Sequence, residues 1–200
     1  KPTAEDWIVD FGVPNGLHTA VLGFANEYKS MFDSFEDVQD PDDNPYIFHP
    51  REERAAFVTP RSLHACSDIL QQEDKLDHHT LKAALVGAIG LRGGTDLMAF
   101  VSMVGQLPSL DSIKQDPMGA LVPTSAGPVI MTVTKALQGM DRELITPWMR
   151  YLERLAIEPQ TLFGRSAMHN DYKQRKIVTQ NELFGEWSRN NAHLFTVDKI

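Results

Sequence analysis

The chain has 200 residues, 42% of them hydrophobic and 23% charged, enough for one large domain or two small ones with a real core. A formal charge of -8 argues against broad, non-specific nucleic-acid binding. The single cysteine, Cys66, excludes an internal disulfide and fits a reducing, cytoplasmic compartment. No uninterrupted apolar run reaches the ~18 residues that a membrane span needs. The most apolar stretch, 119–133, is broken by Pro123 and Pro128. The chain starts at Lys1 with residues that already read as structured, as expected of a fragment of a longer protein.

Thr3 with Glu5 and Asp6 reads as a capped helix start, Trp7, Ile8 and Phe11 as its apolar face, and Gly12 as its stop. A second helix is expected near Pro14, with Leu17, Val21, Phe24, Ala25 and Tyr28 on one face. Two aromatics on that face read as core, and His18 as a helix-edge residue. Residues 33–45 carry six acids and no base, with Pro41 and Pro45, and read as a solvated loop. Asp40, Asp42, Asp43 and Asn44 are oxygen donors, but the calcium-loop pattern lacks its Gly and Glu. No metal site is expected.

The stretch Phe57 to Leu63 carries the strongest local signal. Thr59 is a good N-cap, and Pro60 suits the first helical position. Arg61 then falls in the first turn, at the positive end of the helix dipole, where a cation gains nothing from the helix itself. It would gain from an anion brought to that end; the plain alternative is an exposed Arg at an ordinary helix start. Leu63, Cys66, Ile69 and Leu70 form the helix's inner side, which makes Cys66 a core residue. His78 and His79 are adjacent and cannot chelate from one helix face. The run Leu81 to Ile89, rich in small residues, predicts an interior helix ended by Gly90 and Gly93-Gly94, with Thr95 capping the next. No Gly-Lys-Ser/Thr follows these glycines, so they are not a phosphate loop.

Beyond Leu110, the region Met118 to Pro128 reads as a linker. Helix and strand compete over Val129 to Leu137, with helix favoured. Arg142 to Leu155 is a strongly amphipathic helix, and Thr161 to His169 a further helix. The seven Lys/Arg between Arg142 and Lys176 face four acids, as on a solvated or subunit-contacting face, with Tyr172 to Lys176 a basic surface loop. Thr179-Gln180-Asn181-Glu182 reads as a capping box for a last helix. The fold class is therefore all-α, with boundaries at 1–110 and 111–200. No self-contained active-site motif is present: no G-x-S-x-G, no H-E-x-x-H and no paired cysteines.

Several pieces occur in a familiar order: Asp6-Trp7-Ile8-Val9-Asp10-Phe11, Leu17-His18-x-x-Val21 with Phe24, an acidic loop leading to Asn44-Pro45-Tyr46, Phe57-Val58-Thr59-Pro60-Arg61-Ser62-Leu63, Ala84-Leu85-Val86-Gly87-Ala88-Ile89-Gly90, Phe100, and Leu107-Pro108-Ser109. Over about half of the chain this order resembles the C-terminal part of MoxR-like AAA+ ATPases. The resemblance implies an AAA+ lid-like helical bundle followed by a helical C-terminal extension. It implies that Arg61 is the sensor-2 residue reaching the γ-phosphate of ATP. ATP and Mg²⁺ would be cofactors of the intact protein, with none bound to this chain alone. The nucleotide-binding module, with its phosphate loop and arginine finger, would lie before Lys1. A homo-oligomeric ring and a remodelled protein substrate are the implied partners, with no membrane and no nucleic acid. The competing expectation, from another class, is a free-standing helical adaptor that binds a protein partner.

Overall fold

The computed structural model describes residues 2–195, which are mostly helical and contain no strand; the one β-bridge is isolated, between His49 and Glu52. The all-α expectation holds. Ten α-helices follow in order: α1 (Ala4–Asp6), α2 (Thr19–Glu27), α3 (Pro60–Leu70), α4 (His78–Val104), α5 (Leu110–Gln115), α6 (Ala126–Gln138), α7 (Ile145–Leu152), α8 (Ile157–Met168), α9 (Arg175–Thr179) and α10 (Glu182–Asn190). The chain forms two compact units. One takes Leu17–Gln106 together with the residues before Val9; the other takes Val9–Gly16 together with the residues from Leu107 on. The division is not linear, because the segment 9–16 belongs to the second unit rather than to its sequence neighbours.

In the first unit, α2 and α3 pack on α4. Leu22, Phe24, Leu63, Leu70, Leu85 and Leu97 are buried between them. Phe24, Tyr28, Tyr46 and Phe100 form an aromatic cluster with centroid separations of 5.2–6.2 Å, the distances of tilted and edge-to-face pairs. The aromatics at helical spacing are therefore core. His18 caps α2, its Nδ1 accepting from the Ala20 N–H at 3.3 Å, and α2 starts at Thr19 rather than near Pro14. Thr3 caps α1 as expected, and the helical segment runs to the expected stop at Gly12, with π rather than α geometry over Trp7–Gly12.

The element α4 is broken at its middle. Gly90 ends its first half, as the sequence reading expected, whereas Gly93 and Gly94 lie in the second half and take no part in the stop. The chain turns at the single non-helical residue Gly90, φ 83° and ψ 166°, and the second half starts at once at Leu91, so that Thr95 lies inside it and caps nothing. By length and composition His78–Val104 is apolar enough to cross a membrane. The break leaves segments 78–89 and 91–104, each short of the ~20 helical residues a span requires.

In the second unit, α6 packs on α8, α5 on α7, and α10 on α7 and α9. Trp148, Tyr151 and Phe163 are fully buried at its centre. Helix wins over strand at Val129 to Leu137, inside α6. The helix expected from Arg142 is shorter and starts at Ile145, because the Asp141 carboxylate accepts from the Glu143 and Leu144 N–H groups and holds that segment as a turn. Thr179 is not a cap: it ends α9, its hydroxyl donating to the Arg175 carbonyl at 2.9 Å, and Asn181 caps α10 by accepting from the Phe184 N–H. Tyr172 is buried, not part of a surface loop, and its hydroxyl donates to the Leu137 carbonyl at 2.6 Å.

The bend makes a direct prediction. A Cβ at Gly90 would stand 2.6 Å from the Ala56 carbonyl oxygen, on a backbone conformation essentially restricted to glycine. Gly90→Ala is expected to destabilise the protein by about 2–4 kcal/mol. Gly87→Ala, where nothing lies within 4 Å of the added carbon, is expected to be stabilising by about 0.5–1 kcal/mol. Urea unfolding midpoints of the two variants should therefore move in opposite directions.

Candidate functional site

Arg61 stands where local chemistry puts it. The Thr59 Oγ1 accepts from the Ser62 N–H at 3.0 Å, and the Ser62 hydroxyl lies 2.8 Å from the Thr59 N–H, which donates to it. Ser62 Oγ also lies 3.2 Å from the Phe57 carbonyl, fastening the approach to the helix. Pro60 occupies the first turn. One residue upstream, Val58 is buried, and its N–H donates to the Tyr46 carbonyl at 2.7 Å. The helix start is thus held from both sides. Arg61 itself is exposed, and its side chain makes no hydrogen bond or ion pair among the described residues. Its guanidinium offers five donors in a planar fork, the geometry that suits a phosphate or carboxylate.

The acidic loop is more ordered than its composition suggests. It runs through short 3₁₀ turns, Phe35–Asp37 and Pro41–Asp43, capped by Ser34 and Asp40. Its organiser is Arg54, whose side chain is only 10% exposed. Arg54 donates to the carbonyls of Asn44 at 2.9 Å, Ile47 at 2.5 Å and Pro41 at 2.7 Å, and pairs with the Glu52 carboxylate. Backbone without a helix or sheet partner thereby finds its donors in one side chain.

Between this loop and the bend of α4 lies a cleft of about 670 Å³. Its apolar wall comes from Ala55, Ala56, Val86 and Leu91, and its rim from Asp42, Arg92 and Asp96. Arg61 is not among its lining residues, so the structure does not join the candidate cation to the cleft. Asp96 joins a buried tyrosine to a second lining residue: the Tyr46 hydroxyl donates to it at 2.7 Å, and the Arg92 Nε lies 2.7 Å from it. Burial, and then the Asp96 carboxylate, push the Tyr46 phenol up to about 12, so it stays protonated and remains a donor.

Other candidate residues find structural roles. Cys66 is fully buried, and burial pushes its thiol up to about 12, far from the reactive range. His78 and His79 follow the cap Asp77, which accepts from the His79 and Thr80 N–H groups. Among the described residues there is no group of three or more His, Cys, Asp or Glu placed to hold a metal. Sequence reasoning missed Arg54 and the Tyr46–Asp96–Arg92 set. The one available signal for Arg54 was a cation close behind a loop of acids and prolines.

Comparison with protein-family models, with curated proteins and with solved structures found no match for this chain.

Two outcomes are expected. Arg54→Ala strips three carbonyls and a carboxylate of their donor and should cost about 2–4 kcal/mol, with faster amide exchange confined first to 41–54. Arg54→Lys should recover little, since an ammonium cannot reproduce the guanidinium fork. Cys66 should resist thiol reagents in the folded protein and react stoichiometrically in denaturant.

Proposed function

We propose that this chain is the lid and C-terminal portion of a cytoplasmic MoxR-like AAA+ ATPase, with Arg61 as the residue that senses the γ-phosphate of ATP. The observation that carries this reading is the state of Arg61: an exposed cation without a protein partner among the described residues, fixed in the first turn of a doubly fastened helix. A structural arginine would be expected to spend its donors on the protein, as Arg54 does. Arg61 keeps its donors for something outside the unit.

The chain supplies one contact and no more. Phosphoryl transfer needs a phosphate cradle, Mg²⁺ and a positioned water. In the intact protein those belong to the nucleotide-binding module expected upstream. ATP and Mg²⁺ are then cofactors of the whole assembly, a homo-oligomeric ring acting on a protein substrate. Arg61 would hold the first unit toward the nucleotide module while the γ-phosphate is in place, through a charge-assisted contact worth about 1.5–3 kcal/mol. On hydrolysis that contact is lost and α3 is released, with α4 carried along because the two helices pack together.

The test is Arg61→Ala in the intact protein. Turnover should fall on the order of ten- to a hundredfold. The urea midpoint of this chain should not move, since Arg61 holds nothing in it. Unchanged turnover would reduce Arg61 to a surface residue. The chain alone, assayed with MgATP, should show no turnover.

A further inference from the structure

The two units share the charge unequally. The first contains eight Lys/Arg against sixteen Asp/Glu, and the second eleven against eleven, so the whole net charge of -8 sits on the first. Part of that excess lies beside the cleft. Asp42 and Glu52 line it, and Asp43 and Glu53 are their exposed neighbours in the chain. The cations there are already engaged, Arg54 by Glu52 and the loop carbonyls and Arg92 by Asp96. At the mouth, Leu91 is 72% exposed. Its place is fixed, because it follows Gly90, which is held against the Ala56 carbonyl. The cleft thus offers an apolar wall inside a negative field.

The second unit carries the complement. Lys173, Arg175 and Lys176 are exposed, and none has an acidic partner among the described residues. Just before them in the chain, at the end of α8, Met168 is 40% exposed. Three short backbone turns, His169 to Ser166, Tyr172 to His169 and Arg175 to Tyr172, keep this stretch compact. We propose that the Met168–Lys176 edge of one copy docks in the Leu91 cleft of a second copy. Met168 is the adaptable apolar anchor against Leu91 and Val86. The three cations meet Asp42 at the cleft and the exposed Asp43 and Glu53 next in the chain to its lining residues, where they steer and orient the approach. Each copy presents one face of each kind, so the contact is head-to-tail and propagates to a ring or a filament. This inference rests on the assembly of like subunits proposed above and is independent of the role of Arg61.

The whole chain is tested by sedimentation velocity over a range of concentrations. The mass is expected to rise with concentration, and added salt should weaken the association, because the rim contacts are exposed. The triple variant D42K/D43K/E53K and the triple variant K173E/R175E/K176E should each raise the dissociation constant about tenfold or more. Leu91→Ser should do so without any change of charge. Circular dichroism checks that each variant is folded. Mixing the two triple variants should restore association, since each then offers the face the other lost. A wild-type chain that stays monomeric, association indifferent to salt, or a mixture that fails to recover would each overturn the proposal. None of these outcomes bears on Arg61, which is read by turnover of the intact protein.

Discussion

A side chain at Gly94 would overlap the backbone of Val86, and one at Gly90 would meet the Ala56 carbonyl, so the bend in α4 exists only because both positions are bare. The bend sets much of the first unit. It brings Leu91–Val104 back against His78–Ile89 and presses the backbone of 55–58 onto the corner. Gly93 faces Val58 there, and Val58 is one residue from the cap of α3. The position of Arg61 is therefore set by two things: its own capping box, and a close approach of three glycines more than twenty residues further along. The same corner forms one wall of the cleft. A straight α4 would leave the cleft without a wall and the approach to α3 without its support.

Local chemistry was legible where it acts over one turn. Thr59, Pro60 and Ser62 are within four residues of each other, and their capping arrangement is the expected one. The apolar faces of α2 and α3 were readable for the same reason, since helical spacing reports burial directly. Cys66 as core and His78–His79 as a helix start also followed from position alone. What failed was the placing of two helix caps. Gly90 was readable as a stop, but the next helical segment starts at once at Leu91 and runs through Gly93 and Gly94, so Thr95 is no cap. Thr179 carries a capping-box pattern, but the preceding short helix claims it and Asn181 takes the cap. Both errors placed an element boundary by a local signal when a neighbouring element had the stronger claim.

The site was only half legible. Arg61 could be singled out because its neighbours define its geometry. Arg54 could not, because its partners Pro41, Asn44 and Ile47 are carbonyls, which any residue supplies and no sequence pattern marks. Tyr46 and Asp96 are 50 positions apart and meet through the fold alone. The cleft that Arg54 and Asp96 line is likewise a product of tertiary structure, and Arg61 lies outside its lining.

Both units solve one problem in the same way. Proline-containing connections leave backbone carbonyls without helix or sheet donors, and each unit places one arginine to serve them. Arg54 does this for 41–47. In the second unit, Arg154 donates to the carbonyls of Pro117 at 2.7 Å and Ala120 at 2.8 Å while its guanidinium lies over the Tyr151 ring. Tyr151 adds a bond from its hydroxyl to the Leu121 carbonyl at 2.7 Å. An arginine suits this task because its five donors point outward from a rigid plane and reach several carbonyls at once. The consequence differs between the units. Around Arg154 the result is a tidy connection between helices. Around Arg54 it fixes acids, Asp42 and Asp43 among them, at set positions beside a cleft. A disordered acidic tether would spread its charge over many conformations, whereas this loop concentrates the field at one place. Unpartnered carboxylates held close together repel one another, and the donors of Arg54 help to offset that cost. The loop thus keeps an arrangement that its composition alone would oppose.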